Sequence, residues 1–182
     1  MIDLVYAHPY PDRSRASRVL LDAVRDLPAV EVRSLYDLYP DFDIDVQAEQ
    51  AALLRADALV LHCPMYWYSV PSLLKHWFDK VLVRGFAFGH GQALAGKRWL
   101  SVLTTGGDER AFGPSGAHGR PLAEFLPPIE QTARFCGMRW EAPIAVLGAH
   151  RLDARQLEAR AAAYRGRLVA LMESATDEAR HG

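Results

Sequence analysis

The chain has 182 residues, a length typical of one domain of ordinary size. Half of its residues are hydrophobic, which allows a large core and excludes a chain that is mainly disordered. With 21 basic and 22 acidic residues the net charge is -1, whereas a nucleic-acid-binding protein would normally present a strongly basic face. We therefore expect no nucleic-acid partner.

Cysteine use and the N-terminal sequence bear on the cellular compartment. Cys63 and Cys136 are too few for a disulfide framework and show no metal-ligand spacing, so we predict no metal site. The start MIDLVYAHPY lacks the basic and long apolar regions of a signal peptide. No apolar run reaches the roughly 18 residues that a membrane helix needs. We expect a cytoplasmic protein.

In the first half of the chain, short apolar runs alternate with amphipathic segments. IDLVYAH (residues 2–8), VEVRSLY (30–36) and ALVLHCP (58–64) are predicted as strands. AEQAALLRAD (48–57) is predicted as a short helix. Apolar residues at helical spacing predict a longer helix between the first two strands, namely Ala16, Val19, Leu20, Ala23, Val24 and Leu27.

The second half continues the alternation. KRWLSVLTT (97–105) and RWEAPIAVLG (139–148) are predicted as the fourth and fifth strands. A helix over residues 122–136 must be bent, broken or begun by Pro127-Pro128, and the closing helix is predicted over 153–172, with Asp153 as its N-cap. Between the third and fourth strands, a further helix has Pro71 near its first turn. Its single apolar face consists of Leu73, Leu74, Trp77, Phe78, Val81 and Leu82.

Continuously apolar strands that alternate with helices indicate a parallel sheet covered on both faces. We predict an α/β protein with a flavodoxin-like, doubly wound, five-stranded parallel sheet and helices on both faces. It forms a single domain over residues 1–176, and residues 177–182 are predicted to be a disordered tail. Ligands of such sheets lie beyond the carboxyl ends of the strands, at the switch point. The candidate loops are therefore 8–17, 64–70 and 104–119.

The first loop, HPYPDRSRAS, leads into a predicted helix through Ser14, Arg15, Ala16 and Ser17. A helix start offers free N–H groups and the positive end of a dipole, which suit a phosphate. The loop has neither the Walker pattern nor GxGxxG. Taken alone, the loop is better explained by Ser14 or Ser17 as a simple helix cap, with His8 as a packed or solvated histidine.

The second loop places Met65, Tyr66, Trp67 and Tyr68 in a row, where a turn usually has Gly, Asn, Asp or Ser. These side chains could simply cover the edge of the sheet. Buried Trp and Tyr, however, need partners for their N–H and O–H groups. Consecutive aromatics at a ligand-binding edge favour a flat ring system as the ligand.

In the third loop, Gly106 and Gly107 allow close approach of the backbone to a ligand, although an ordinary flexible turn would look the same. His118 is the titratable side chain here that exchanges protons near neutral pH, although a structural role is the simpler interpretation of it alone. Taken together, however, the three loops favour a cofactor site over three unrelated structural features. A phosphate-ready helix start, an aromatic wall and a Gly-Gly edge match the parts of flavin mononucleotide (FMN).

At these residues the chain resembles the flavodoxin-like NAD(P)H:quinone oxidoreductase family, and most of all the ancillary proteins of bacterial glutathione-regulated potassium-efflux systems. The resemblance covers nearly the whole chain, and its motifs fall in the expected order. They are YAHPYPDRSRAS, RSLYDLYPDFDID, HCPMYWYSVPSLLKHWFDKVL, GFAFGHG, LAGK, TTGG and FCGM.

The resemblance implies a homodimer with FMN rather than FAD, NADH or NADPH as hydride donor, and a quinone or other electrophile as acceptor. It also implies a partner, the cytoplasmic domain of a potassium/proton antiporter, at the inner face of the membrane. Carried over by position, the phosphate would be held by His8, Ser14, Arg15, Ala16 and Ser17. The ribityl chain and ring would be lined by Met65, Tyr66, Trp67 and Tyr68, and the polar edge of the ring by Thr105, Gly106, Gly107 and Asp108.

Two positions depart from the pattern. Relatives commonly have Gln where this chain has Tyr66, so a side-chain amide contact would be missing. In the longer animal quinone reductases a Tyr and a His beyond the Gly-Gly turn manage the proton that accompanies hydride transfer. His118 matches that His as the candidate catalytic residue, but Phe112 stands where the Tyr would be. We therefore expect His118, water or solvent to donate or accept the proton that accompanies hydride transfer.

The predicted function is a two-electron, ping-pong quinone reductase that also regulates the antiporter. One alternative is a quinone reductase with no antiporter partner. Another is an electron-carrier flavodoxin, although such carriers are strongly acidic and have a Thr-rich phosphate loop. A receiver domain would need acidic residues at the positions of His8 and Cys63.

Overall fold

A computed structural model of the protein describes residues 1–181, with side chains described as far as Ser174. The predicted disordered tail, residues 177–182, lies beyond Ser174, and Gly182 lies outside the described residues. The tail therefore stays a prediction. None of the described helices combines the length and apolarity needed to cross a bilayer.

In the described part of the chain, six strands form one parallel sheet in the order β2-β1-β3-β4-β5, with β6 also paired to β4. The chain passes from β1 outward to β2 and then crosses back over β1 to β3, which creates the switch point. The predicted doubly wound, flavodoxin-like sheet is thereby confirmed. The strands are β1 (Ile2–Tyr6), β2 (Val30–Ser34), β3 (Ala58–Pro64), β4 (Arg98–Thr104), β5 (Arg139–Trp140) and β6 (Ile144–Val146).

The predicted fifth strand occupies its expected place but is divided into β5 and β6. The backbone N–H of Glu141 still donates to the carbonyl of Trp99 (2.9 Å). Pro143 then follows, and because proline has no N–H it cannot continue the ladder. Pairing resumes where Ile144 lies opposite Val102.

The helices are α1 (Arg15–Asp22), α2 (Leu35–Leu38), α3 (Val46–Arg55), α4 (Ser72–Val81), α5 (Pro127–Phe135) and α6 (Ala154–His181). Short 3-10 segments lie at Pro11–Arg13 and Leu122–Phe125. The helix predicted over 122–136 is therefore begun anew by Pro127, whose fixed φ and missing N–H are tolerated in a first turn. The second predicted strand was two residues too long, because α2 starts directly after Ser34.

The two faces of the sheet each carry a hydrophobic core. Leu4 and Val60 pack towards α1 and α6, in a cluster that includes Tyr164. Val5 and Leu61 face the opposite side, towards α3, α4 and α5. Because neighbouring residues of a strand point to opposite faces, each central strand is buried on both sides, and this rigid frame aligns the carboxyl ends of β1, β3 and β4 at one edge.

Candidate functional site

His8 follows β1 at the carboxyl edge of the sheet and is 7% exposed. The backbone N–H of Tyr10 donates to Nδ1 of His8 (3.0 Å), so the proton of the neutral ring resides on Nε2. Burial lowers the pKa of His8, which favours that neutral form. His8 thus offers one N–H donor to the cavity that it lines.

The start of α1 presents donors to the same cavity. Ser14 is the N-cap, and its Oγ accepts from the N–H of Ser17 (3.2 Å). In the part of the chain that the structure describes, the N–H groups of Arg15 and Ala16 have no intramolecular acceptor, as expected in a first helical turn. The Arg15 guanidinium donates to the carbonyl of Leu152, which ties α1 to the loop before α6.

Ser17 is a predicted phosphate ligand whose hydroxyl the structure does not bring to the cavity. Its side chain is fully buried and absent from the lining. The reason is helical geometry: Ser17 lies on the face of α1 that packs on the sheet, beside Tyr6.

We call the space beside this helix start the α1 cavity; its volume is about 460 Å³. The lining residues that were not singled out in the sequence include Tyr10, Arg13 and His150. His150 follows β6, the last strand that ends at this edge, and that position is the signal that would have found it. The lining consists of His8, Tyr10, Arg13, Ser14, Arg15, Ala16, Pro64, Met65, Tyr66, Thr104, Thr105, Gly106, Ala149 and His150.

The aromatic stretch after β3 forms a two-residue hairpin. Tyr66 and Ser69 exchange both backbone hydrogen bonds, each 3.0 Å long. Between them Trp67 (φ 49°) and Tyr68 (φ 63°) both adopt the left-handed conformation of a type I′ turn, which favours Asn and Gly. Trp67 is 93% exposed, so its side chain does not cover the sheet edge in this chain. Large aromatics in so strained a turn indicate a requirement beyond folding.

The Gly-Gly turn after β4 is held by its carbonyl groups. The Gly107 carbonyl accepts from the N–H of Gly148 and the hydroxyl of Thr105, both at 2.7 Å. Within the described residues, the N–H groups of Gly106 and Gly107 have no intramolecular acceptor. A Cβ on Gly106 would enter open space. The turn therefore presents free donors and an open face.

His118 stands over this turn. Its ring packs on Phe112, with 4.4 Å between centroids, and the backbone N–H of His118 donates to the carbonyl of Ala111 (3.0 Å). Its Nε2 lies 2.7 Å from the point that a Cβ of Gly107 would occupy. Nδ1 lies 3.4 Å from the hydroxyl of Tyr68. The structure thus brings the predicted catalytic His118 to the predicted turn.

A second space, which we call the Gly-Gly cavity, has a volume of about 280 Å³. It shares Met65, Thr105 and Gly106 with the α1 cavity, so the two cavities adjoin along the sheet edge, and we call the pair the slot. Its lining is Met65, Trp67, Tyr68, Thr105, Gly106, Gly107, Phe112 and His118.

The side chain of Asp108 lines neither cavity. Its carboxylate accepts from the N–H of Ala111 (3.0 Å) and forms an ion pair with Arg151 (2.8 Å). The hydrogen bond from Ala111, followed by the charge of Arg151, lowers the pKa of Asp108. The carboxylate therefore orders the third loop, and only the backbone of Asp108 is available to a ligand at the turn.

Comparisons with known proteins identify relatives of this chain. The chain is 49% identical over 175 residues to the glutathione-regulated potassium-efflux system ancillary protein KefF of Klebsiella pneumoniae (strain 342), covering 96% of this chain and 98% of that protein. The corresponding protein of Salmonella typhi is 48% identical over 174 residues, with 95% and 98% covered.

Two solved structures share the fold at substantial identity. General stress protein 14 of Treponema denticola, in complex with FMN, is 35% identical with a TM-score of 0.86, covering 93% of this chain and 98% of that one. An NADPH-quinone reductase from P. pentosaceus is 32% identical with a TM-score of 0.83, covering 91% and 95%. A family model described as a flavodoxin-like fold matches residues 2–168. The resemblance predicted from the sequence is thus confirmed, and the chain belongs to the flavodoxin-like family, among relatives of the KefF ancillary proteins.

Proposed function

We propose that the protein is an FMN-dependent NAD(P)H:quinone oxidoreductase. The observation that carries this proposal is the slot made of two adjoining cavities, the α1 cavity and the Gly-Gly cavity, which share Met65, Thr105 and Gly106. One end has the free N–H groups and cationic side chains that suit a phosphate, and the other end has aromatic walls and free backbone donors that suit a flat polar ring. The FMN complex of the Treponema relative supports the same cofactor.

The residues of the α1 cavity fit a phosphate. The N–H groups of Arg15 and Ala16, the Nε2–H of His8 and the guanidinium of Arg13 all border the space. Charge-assisted hydrogen bonds from such donors are the strong kind. Tyr66 also lines the cavity, and because burial raises its pKa its hydroxyl stays protonated as a donor.

The residues of the Gly-Gly cavity fit the ring. The open face of Gly106 admits a planar group, and the free N–H groups of Gly106 and Gly107 can stabilise negative charge at its polar edge. Trp67 and Tyr68 provide the aromatic wall. FMN, when bound, supplies the hydride chemistry between NADH or NADPH and the quinone.

The chain itself manages the proton. Nε2 of His118 lies above Gly107 in the cavity where donor and acceptor would bind in turn, an order that gives ping-pong kinetics. A histidine there can hold the proton that a reduced quinone oxygen needs.

The test is direct. Purified protein should be yellow or should turn yellow on titration with FMN, and it should oxidise NADH or NADPH when benzoquinone or menadione is present. Flavin fluorescence quenching gives the affinity and stopped-flow absorbance gives the two half-reactions. A colourless protein that binds no FMN contradicts the proposal. A protein that binds FMN but transfers electrons only singly to protein acceptors would favour an electron-carrier flavodoxin.

A second role is favoured by the 49% identity to KefF over 98% of that protein. We infer that the chain is a homodimer that binds the cytoplasmic domain of a potassium/proton antiporter and promotes efflux. Light scattering should give twice the 20.3 kDa mass of one chain. Pull-down with the antiporter domain, and potassium efflux in a deletion strain, test the partner. His118→Gln should lose reductase activity but still bind the antiporter domain, which separates the two roles. If the protein does not bind that domain and the deletion strain has no efflux defect, the protein is a reductase without the regulatory role.

A further inference from the structure

The ring of Tyr68 is held in a defined position at the Gly-Gly cavity. Its backbone is fixed by the left-handed turn conformation. Its ring stacks on Phe125, with 4.8 Å between centroids and planes 25° apart. Its edge-to-face contact with His118 spans 5.6 Å at 83°. Two independent ring contacts therefore fix where the Tyr68 hydroxyl lies.

The two ring nitrogens of His118 face different surroundings. Nδ1 is 3.4 Å from the Tyr68 hydroxyl, a distance that catalytic hydrogen bonds often show before a ligand binds. Nε2 faces Gly107 at the floor of the cavity. Because a neutral imidazole has one donor and one acceptor nitrogen, a hydroxyl that donates to Nδ1 leaves the ring proton on Nε2, inside the cavity.

The proton-exchanging side chains of the Gly-Gly cavity can be identified from its described lining. Among the described residues that line the Gly-Gly cavity, Tyr68 and His118 are the ones that can exchange a proton. The other rings in contact with the pair, Phe112 and Phe125, carry no polar atom. Within this lining the pair therefore has no titratable neighbour.

We propose that Tyr68 is the proton partner of His118 and supplies the phenol that Phe112 lacks. This inference rests on the proposed reductase function. The hydroxyl comes from the turn after β3, 50 residues before His118 in the chain. Tyr68 acts through His118 and is a positioning residue.

The proton balance is simple. Hydride transfer brings two electrons and leaves a quinone oxygen with negative charge. The Nε2–H bond of His118 breaks as the new O–H bond forms, and the Tyr68 hydroxyl proton moves to Nδ1. The phenolate then regains a proton from solvent, which reaches it because Tyr68 is 45% exposed.

The decisive variant is Tyr68→Phe, which keeps the ring on Phe125 and removes only the hydroxyl. We expect quinone reduction to fall roughly 10-fold and FMN affinity to stay unchanged, and His118→Gln to fall roughly 100-fold. In the His118→Gln background, Tyr68→Phe should cause no further loss, because the two residues act as a unit. Equal, independent losses in both backgrounds, or wild-type rates for Tyr68→Phe, overturn the proposal. His90→Gln, at an exposed histidine in another loop, is the matched control.

A readout without cofactor separates this inference from the proposed function. The ¹⁵N resonance of His118 Nδ1 is measured in cofactor-free protein at a pH where the ring is neutral. In Tyr68→Phe it should move towards the position of a free imidazole acceptor; an unchanged resonance overturns the pair. If the protein binds no FMN, the reductase proposal fails while the resonance still decides the hydrogen bond. If the protein reduces quinones but the His118 resonance is the same in Tyr68→Phe, only the proposed Tyr68–His118 pair is rejected and the reductase proposal stands.

Discussion

The site for a Cβ atom on Gly107 lies 2.7 Å from Nε2 of His118 and 3.1 Å from Cε2 of Phe112. No side chain larger than hydrogen fits there unless the histidine moves. Glycine is thus required at position 107 by the ring of His118 above it, whereas the open side of Gly106 is available to a ligand.

Gly107→Ala should therefore displace His118. We expect quinone reduction to fall at least 10-fold, and the free energy of unfolding to fall by about 1–3 kcal/mol, because the added methyl overpacks a filled site. Steady-state kinetics and urea unfolding measure the two effects. Gly166→Ala, on α6 with no atom near the new methyl, is the matched control and should stabilise the protein by about 1 kcal/mol. Normal activity in Gly107→Ala would show that the His118 position is unimportant.

Gly106→Val should separate folding from cofactor binding. Its side chain enters open space inside the slot, so we expect a melting temperature near that of the wild type. FMN affinity should weaken about 100-fold or more, because the methyl groups would occupy the place proposed for the ring. Gly106→Ala should show a smaller effect of the same sign. If Gly106→Val bound FMN normally, the ring would have to lie elsewhere.

At Trp67 in the aromatic turn, a substitution that relieves backbone strain should increase stability but weaken FMN binding. Trp67→Gly removes a side chain that is 93% exposed and relieves a left-handed conformation, so the protein should gain about 1 kcal/mol relative to Trp67→Ala, which keeps the strain. Both variants should bind FMN more weakly to the same extent. Thermal unfolding and flavin titration give the two quantities. A Trp67→Gly protein less stable than Trp67→Ala would contradict the assignment of strain.

Much of this site was open to prediction from the sequence, and the remainder has physical reasons. Apolar runs at Leu59–Leu61 and periodic helices identify the sheet and its edge, because burial on both faces leaves a plain signature. The break at Pro143 and the inward side of Ser17 depend on register and helix phase, which local patterns define within a residue or two. The Tyr68–His118 contact joins residues from different loops, so no spacing in the sequence announces it.

The buried charges of β1 and β2 offer a test of pH dependence. Burial raises the pKa of Asp3 to about 6, although Arg33, 3.4 Å away, opposes the shift. A raised carboxyl pKa contributes stability that is full below the unfolded value near 4 and is lost as pH rises to about 6, in total about 3 kcal/mol. Asp3→Asn should remove this loss, so its stability relative to the wild type should increase from pH 4 to pH 7. Parallel pH profiles of unfolding free energy would contradict the assignment.

His62 has the opposite effect on stability. It is fully buried between the rings of Tyr6 and Tyr164, and within the described residues neither of its ring nitrogens has a hydrogen-bond partner. Burial, followed by repulsion from His8, lowers its pKa to about 3. Since the unfolded chain binds the proton near pH 6.5, stability is complete above that value and falls as pH drops towards 3, by up to about 5 kcal/mol.

His62→Gln, which cannot titrate, should therefore flatten the acid limb of the stability profile. Because Asp3 and His62 change stability in opposite directions between about pH 4 and pH 6, their effects partly cancel in the wild type. In Asp3→Asn, the unfolding free energy should show the pH dependence that arises from His62, and in His62→Gln the one that arises from Asp3. The double variant should show neither pH dependence. Urea unfolding from pH 4 to pH 8 measures all four proteins. An acid limb as steep in His62→Gln as in the wild type would assign the loss of stability to other groups.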